Sequence, residues 1–360
     1  MKWLPKHFSF SVIIFSLCFN FTAQSLKKEI LYTHYDAVEY NWPAQINAIA
    51  EDSLGIKYFG TSSGVLIYNG ATWKKLKTPF TVWSLFSDDN GRIYLGGENN
   101  FGFIKTSENG KLLFHSVVLD NNHKFELQNQ DFRYITSNNH SIYFASQQSL
   151  FSYDSKTKQL GEIFLPIENK DNILLSMFML GNEQYIHIKN QGLYLYNKEF
   201  KKLSTEKSEE FSNNFITSGV KANNKLIFVS SKNIVYSLEN DNLKRSKFKI
   251  SQPHSSPNIT IDEKSNFVIY SLNDGLSFYD SKFELSNDMS NVKAICHMWD
   301  NNGDLWIGAL DGIYKINVKD GLQIIDLKSL AGRINSVLLV LDFIDGGEKH
   351  EHCAHKYVGI

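Results

Sequence analysis

The run Gly97-Glu98-Asn99-Asn100-Phe101-Gly102 sets a carboxylate and two amides between two glycines. An ionised Glu98 only accepts hydrogen bonds, whereas Asn99 and Asn100 both donate and accept, which is what a sugar's hydroxyls require. Gly97 and Gly102 would let backbone approach a bound molecule closely. Arg133 and Tyr134 follow the longest insert in the chain and could return to the same place, and Trp83, which precedes the second copy's turn and could face the axis, is a further candidate for ligand contact. The alternative is structural. Polar turn residues usually serve the turn itself, so Glu98 to Asn100 would cap a hairpin and Arg133 would be a solvated charge.

Other stretches match chemical patterns less well. Gly60-Thr61-Ser62-Ser63-Gly64 has the Gly-x-Ser-x-Gly spacing of serine hydrolases. That serine works from a strand-to-helix elbow, and the flanking residues here predict a strand-to-strand turn. His350-Glu351-His352-Cys353-Ala354-His355 groups metal-ligand types, but it lies outside any regular pattern and reads as a solvated tail. Trp73, Trp83, Trp299 and Trp306 invite sugar stacking; aromatics also dominate strand cores. No nucleotide loop, dinucleotide fingerprint or His-Glu-x-x-His occurs, and no cofactor is expected.

The elements that must position these residues are strands. From Ile46 to Trp73 the chain reads strand, turn, strand, turn, strand, turn. Asp52-Ser53-Leu54-Gly55 is a turn in which the Asp can bond the backbone two residues on, and Asn69-Gly70 is a strong hairpin signal. The pattern Asp-x-x-Gly-x-x-aromatic-apolar-Gly returns at Asp88–Gly96 and Asp300–Gly308. Weaker copies run from Ile142 to Tyr153, Tyr185 to Tyr196, Ile227 to Ser237 and Val268 to Tyr279. Aligned on one turn, the copies fall at Gly64, Asn100, Ser149, Gly192, Asn233, Gly275 and Gly312, a mean step of about 41 residues, typical of a four-stranded propeller blade. Each unit is too small to bury its own apolar face, so the expected fold is all-β, a seven-bladed β-propeller. Glu29 to Tyr35 reads as a strand that pairs with the last blade and closes the ring. The excess between repeats two and three falls between Thr106 and Phe132 and is expected as a long hairpin or surface loop.

Lys2 and Lys6 precede an apolar run from Phe8 to Phe21, too short to span a bilayer comfortably, and Thr22-Ala23-Gln24 then Ser25 suits cleavage. Residues 1–24 are expected to be a secretory signal peptide. Their removal takes 37 basic residues to 35 against 38 acidic ones. That balance gives no electrostatic footprint for nucleic acid. Of three cysteines only Cys296 and Cys353 follow the cleavage point, which is no disulfide framework. The propeller is expected over residues 25–330. Residues 331–360 start an eighth copy at Arg333 and then lose its grammar, so they are expected as a truncated or non-native tail that does not pack as a blade.

Asp300 to Trp306 also approaches the Asp-box of sialidase propellers, but Asn301 stands at its Asp position and Trp299 at its Ser position. The fuller pattern, Asp-x-x-Gly-x-[Leu/Ile]-[Trp/Tyr]-x-Gly followed by Gly-[Val/Ile/Leu], resembles the two-component regulator propeller repeat. The resemblance runs from about Ile46 to Ile325, strong in repeats one, two and seven and eroded in three to six. Gly97 to Phe103, with the insert after it, looks most like sensors that join this propeller to a triple-tyrosine domain and a helix-turn-helix; hybrid sensor kinases share the repeat. The resemblance implies a periplasmic sensor for a small-molecule or oligosaccharide ligand, with a second propeller, a membrane span and an output domain elsewhere in the full-length regulator. A second copy, as a homodimer, is a further candidate partner. Its rivals are an exported propeller enzyme acting on carbohydrate and a protein-interaction scaffold. A mouth with convergent carboxylates would favour the enzyme, and an amide-lined or aromatic mouth the sensor.

Overall fold

The computed structural model describes residues 30–120, 127–205 and 209–317. The expected signal peptide, the tail with its histidines, Cys353 and Asn121–Lys124 lie outside the described residues. Seven small sheets form a ring, antiparallel throughout except for a short parallel edge strand, Ser204–Thr205, on the fifth. Blade 1 consists of Ala48–Glu51, Lys57–Thr61, Gly64–Tyr68 and Trp73–Lys77, and blade 2 of Val82–Ser87, Ile93–Gly97, Asn100–Thr106 and Leu112–Ser116. Blades 3 to 6 begin at Tyr134, Leu174, Ile216 and Asn258. The third strands of the seven blades start at Gly64, Asn100, Leu150, Gly192, Ile234, Gly275 and Gly312, within one residue of the positions expected from the repeat.

Blade 7 takes three strands from the end of the described chain, Ala294–Trp299, Leu305–Ala309 and Gly312–Ile316, and its fourth from the beginning, Tyr32–Asp36. That fourth strand runs antiparallel from Tyr32 opposite Ile316 to Asp36 opposite Gly312, the closure anticipated for it. Asp36 then caps one helical turn, Ala37–Tyr40, by accepting from the Val38 and Glu39 amides. No helix among the described residues is long and apolar enough to cross a membrane.

The repeat signature has a physical reading. In Asp52, Asp88 and Asp300, Oδ1 accepts from the backbone amides two and four residues on, at 2.9–3.0 Å. Oδ2 accepts from the aromatic six residues on: Tyr58 hydroxyl at 3.0 Å, Tyr94 hydroxyl at 3.3 Å and Trp306 Nε1 at 2.9 Å. One carboxylate therefore closes the turn and fixes the ring that the next strand buries. The signature's last glycine leaves room for the following blade. A Cβ at Gly96 would lie 2.6 Å from both the Phe132 carbonyl and Ser84 Oγ, and one at Gly308 would lie 2.7 Å from Ile46. In the eroded repeats the equivalent positions hold Ala145, His187, Val229 and Tyr270. Two of these reach across instead: His187 Nδ1 accepts from the Ile216 amide at 3.3 Å, and the Tyr270 hydroxyl lies 2.6 Å from His297 Nδ1.

The core is distributed rather than central. One apolar cluster fills each junction between consecutive blades, for instance Tyr58, Val65 and Leu76 of blade 1 against Val82, Ile93 and Leu95 of blade 2. Burial on both faces explains why Lys57–Thr61 and Ile93–Gly97 have no exposed residue. The insert after blade 2 is more than a surface loop. Leu112–Ser116 is that blade's outer strand, and the extra residues begin only there. A helical turn, Val117–Asp120, buries Val117 and Val118, and the returning Phe132 is fully buried beside Phe101.

Candidate functional site

Within each blade the strands alternate in direction. The turn between second and third strands therefore emerges at the same end of the ring as the connection to the next blade. Three such segments meet between blades 2 and 3. The turn at Glu98-Asn99 faces the end of the insert, Asn129 to Arg133, and the turn at Ser146 to Gln148. Together with Tyr134 they enclose a cavity of about 690 Å³.

The wall is built by local hydrogen bonding. Asn99 takes φ 53°, which Asn tolerates better than most residues. Its amide donates to the Gln130 carbonyl at 2.7 Å, and its Oδ1 accepts from the Gln130 amide at 2.8 Å. Glu98 and Asp131 pair as an isolated bridge, and the Phe132 amide donates to the Gly97 carbonyl at 3.0 Å. Ser146 Oγ donates to Gln130 Oε1 at 2.7 Å. The insert thus returns and laces the second blade's turn to the third's. Five of the ten lining residues carry side-chain amides: Asn99, Asn129, Gln130, Gln147 and Gln148. The Glu98 carboxylate has no partner among the described residues.

Arg133 is held on two sides. Its Nη2 lies 2.8 Å from Asp131 Oδ2, and its Cζ sits 4.0 Å from the centre of the Trp83 ring. Such a stack fixes the guanidinium, and Asp131 is its hydrogen-bond partner among the described residues. Tyr134 also lines the cavity, and its hydroxyl donates to the Leu175 carbonyl at 2.5 Å and ties blade 3 to blade 4. Burial pushes that hydroxyl's pKa up, with Arg133 opposing.

Of the six residues singled out in the sequence, Glu98, Asn99, Arg133 and Tyr134 line one cavity. Asn100 and Trp83 are not among its lining residues. Asn100 begins the third strand opposite Gly97, and its Oδ1 accepts from Ser116 Oγ at 2.7 Å. Trp83 stands behind Arg133, and its Nε1 is buried without a hydrogen-bond partner. The residues that sequence reasoning missed are Asn129 to Asp131 and Ser146 to Gln148. A signal existed for the latter, since Gln147-Gln148 occupies the turn equivalent to Glu98-Asn99.

Ser62 lies where Thr61 ends one strand and Gly64 begins the next, so the hydrolase elbow is absent. Trp306 is 2% exposed and belongs to the blade 7 core. A Ser, His and Asp do meet in blade 6, but in the wrong order. Ser271 Oγ stands in the middle, donating to Asp274 Oδ2 at 2.9 Å and lying 3.3 Å from His254 Nδ1. The serine is 1% exposed, so this network pins a turn. Among the described residues no cluster of His, Cys, Asp or Glu could hold a metal ion.

No family model and no curated protein matches the chain. Among solved structures it is similar to the extracellular domain of a hybrid two-component system of B. thetaiotaomicron, BT3049, at 15% identity and TM-score 0.63, over 89% of this chain and 45% of that one. The extracellular domain of BT4673 from the same organism aligns at 14% identity and TM-score 0.60, over 80% of this chain and 40% of that one. The chain thus spans less than half the length of either domain. Virginiamycin B lyase from Staphylococcus aureus aligns equally well, at 15% identity and TM-score 0.63, over 81% of this chain and 100% of that one. Likeness at these identities is likeness of architecture: the chain is a seven-bladed β-propeller, the fold of sensor domains and of a lyase alike.

Proposed function

We propose that this chain is the ligand-sensing propeller of an exported, membrane-spanning regulator, and that it binds an oligosaccharide or similar polyhydroxylated molecule between blades 2 and 3. The observation that carries this is the composition of the cavity wall. Five amides, one unpaired carboxylate and an arginine held by Trp83 and Asp131 supply both donors and acceptors in a concave site. The extracellular two-component domains among the structural neighbours support export and sensing. In this reading residues 1–24 direct the chain to the periplasm, and the resemblance assigns a second propeller and an output domain to the full-length regulator. Recognition at this end of the ring involves no nucleic acid.

A second reading, a propeller enzyme, draws on the lyase neighbours and on the presence of two carboxylates, Glu98 and Asp131, in one cavity. Asp131 is already engaged by Arg133. One experiment addresses both. The protein is titrated with oligosaccharides from partly hydrolysed plant and microbial polysaccharides while chain lengths are followed by chromatography. Sensing predicts saturable binding with unchanged chain lengths, lost in Glu98→Ala with Gln147→Ala. Shortening or unsaturation of the saccharides would favour the enzyme, and no binding would remove both readings.

A further inference from the structure

Glu98 also lines a second cavity, on the other side of its turn. This one measures about 560 Å³ and lies at the same end of the ring, between blades 1 and 2. Trp42, Ser62, Ser63, Lys77 and Thr81 contribute to its wall. Trp42 comes from the connection that carries the chain from the closing strand into blade 1. Its Nε1 donates at 2.9 Å to Oγ1 of Thr61, a fully buried residue, and the Lys75 ammonium covers one ring face at 5.5 Å. The indole is therefore fixed in place before any ligand arrives. The dividing turn is fixed as well. A Cβ at Gly97 would lie 2.0 Å from the Phe80 ring, so the backbone beneath Glu98 packs directly on the second cavity's wall.

We infer that the two cavities are subsites of one groove, with Glu98 on the ridge between them, and that the ligand is an oligomer that crosses this ridge. This rests on the sensing site proposed above. The amides of Asn99, Gln130 and Gln147 take the hydroxyls of one unit. The next unit lies beside Trp42, because the C–H face of a sugar ring is apolar and gains from contact with an indole. Glu98, with its carboxylate unpaired, accepts hydrogen bonds from the units on either side of the linkage. Ser62 and Ser63, exposed at the turn, supply small donors where a larger side chain would block the passage.

The test uses the same hydrolysate pool, separated by chain length from single sugars to hexamers, and measures affinity by calorimetry for the wild-type chain, Trp42→Ala and Ser63→Trp. Affinity should rise roughly tenfold or more between single sugars and tetramers. Both variants should bring the longer fractions down to the affinity of the shortest. Ser63→Trp substitutes an exposed turn residue and keeps the test valid if loss of Trp42 disturbs the fold. Equal affinity across lengths, or a length dependence unchanged in Ser63→Trp, overturns the shared groove and leaves the first cavity standing. Absence of binding by every fraction overturns the sensing site and the groove with it.

Discussion

At one end of the ring, Asp52, Asp88 and Asp300 use both carboxylate oxygens within their own turns and on the aromatic ring that follows. Lys57, with Glu51 at 2.9 Å and Asp300 at 3.5 Å, adds a buried ion cluster that joins blade 7 to blade 1 there. At the opposite end, Glu98, Asn129, Gln147 and Gln148 expose carboxylate and amide groups that no described residue satisfies. Polar side chains of the same kinds thus build the fold at one end and remain available at the other. A site for a ligand belongs where hydrogen-bonding capacity is left over, and the carboxylates of Asp52, Asp88 and Asp300 are already engaged.

The largest expected effect comes from breaking the self-satisfied end. Asp300→Ala removes three hydrogen bonds and one partner of a lysine whose side chain is 10% exposed. It should cost about 3 kcal/mol of stability in urea denaturation, with saccharide binding retained by the protein that remains folded. Equal loss of binding and stability would show that the two ends are not separate.

Acid tests the body of the ring between the ends. His187 is fully buried against Phe211, and burial holds its pKa down to about 3. The unfolded chain takes up a proton near the ordinary histidine value while the folded chain does not. Stability therefore falls as pH drops from about 6.5 towards 3, by up to about 1.4 kcal/mol per pH unit from this group, and this contribution is flat above that window. His187→Leu should show a shallower acid slope in a series of denaturation midpoints; an unchanged slope would contradict the assignment.

Gly96→Ala should cost about 1–3 kcal/mol, since the added methyl meets the Phe132 carbonyl at the end of the insert. The smallest effect on stability is expected at the open end. Glu98→Ala and Gln147→Ala should each stay within about 0.5 kcal/mol of wild type while weakening saccharide binding.

The fold was legible because its signature is local. Asp52 to Gly60 contains the turn, the ring it anchors and the glycine that admits the next blade, all within one repeat. The candidate cavity was half legible. Glu98 and Asn99 stand out because their turn departs from the signature of their neighbours, and Arg133 and Tyr134 because they end the insert. Gln147 and Gln148 were hidden in an eroded repeat whose turn could be located but not compared with a strong copy. Asn129 to Asp131 were hidden because their role depends on where the insert lands, which burial of Phe132 and pairing with Asn99 decide. Asn100, chosen for its amide, belongs to a strand whose neighbour Ser116 is far along the chain. Trp42 escaped notice as a wall residue because the closing strand brings it beside blade 1.

The division between the two ends is tested most directly by hydrogen exchange read by mass spectrometry, with and without the oligosaccharide pool. Protection is expected in peptides covering Gly97 to Asn100, Asn129 to Tyr134 and Ser146 to Gln148, with the turns at Asp52, Asp88 and Asp300 unchanged. Protection confined to those aspartate turns, or none at all under conditions of saturable binding, would contradict it.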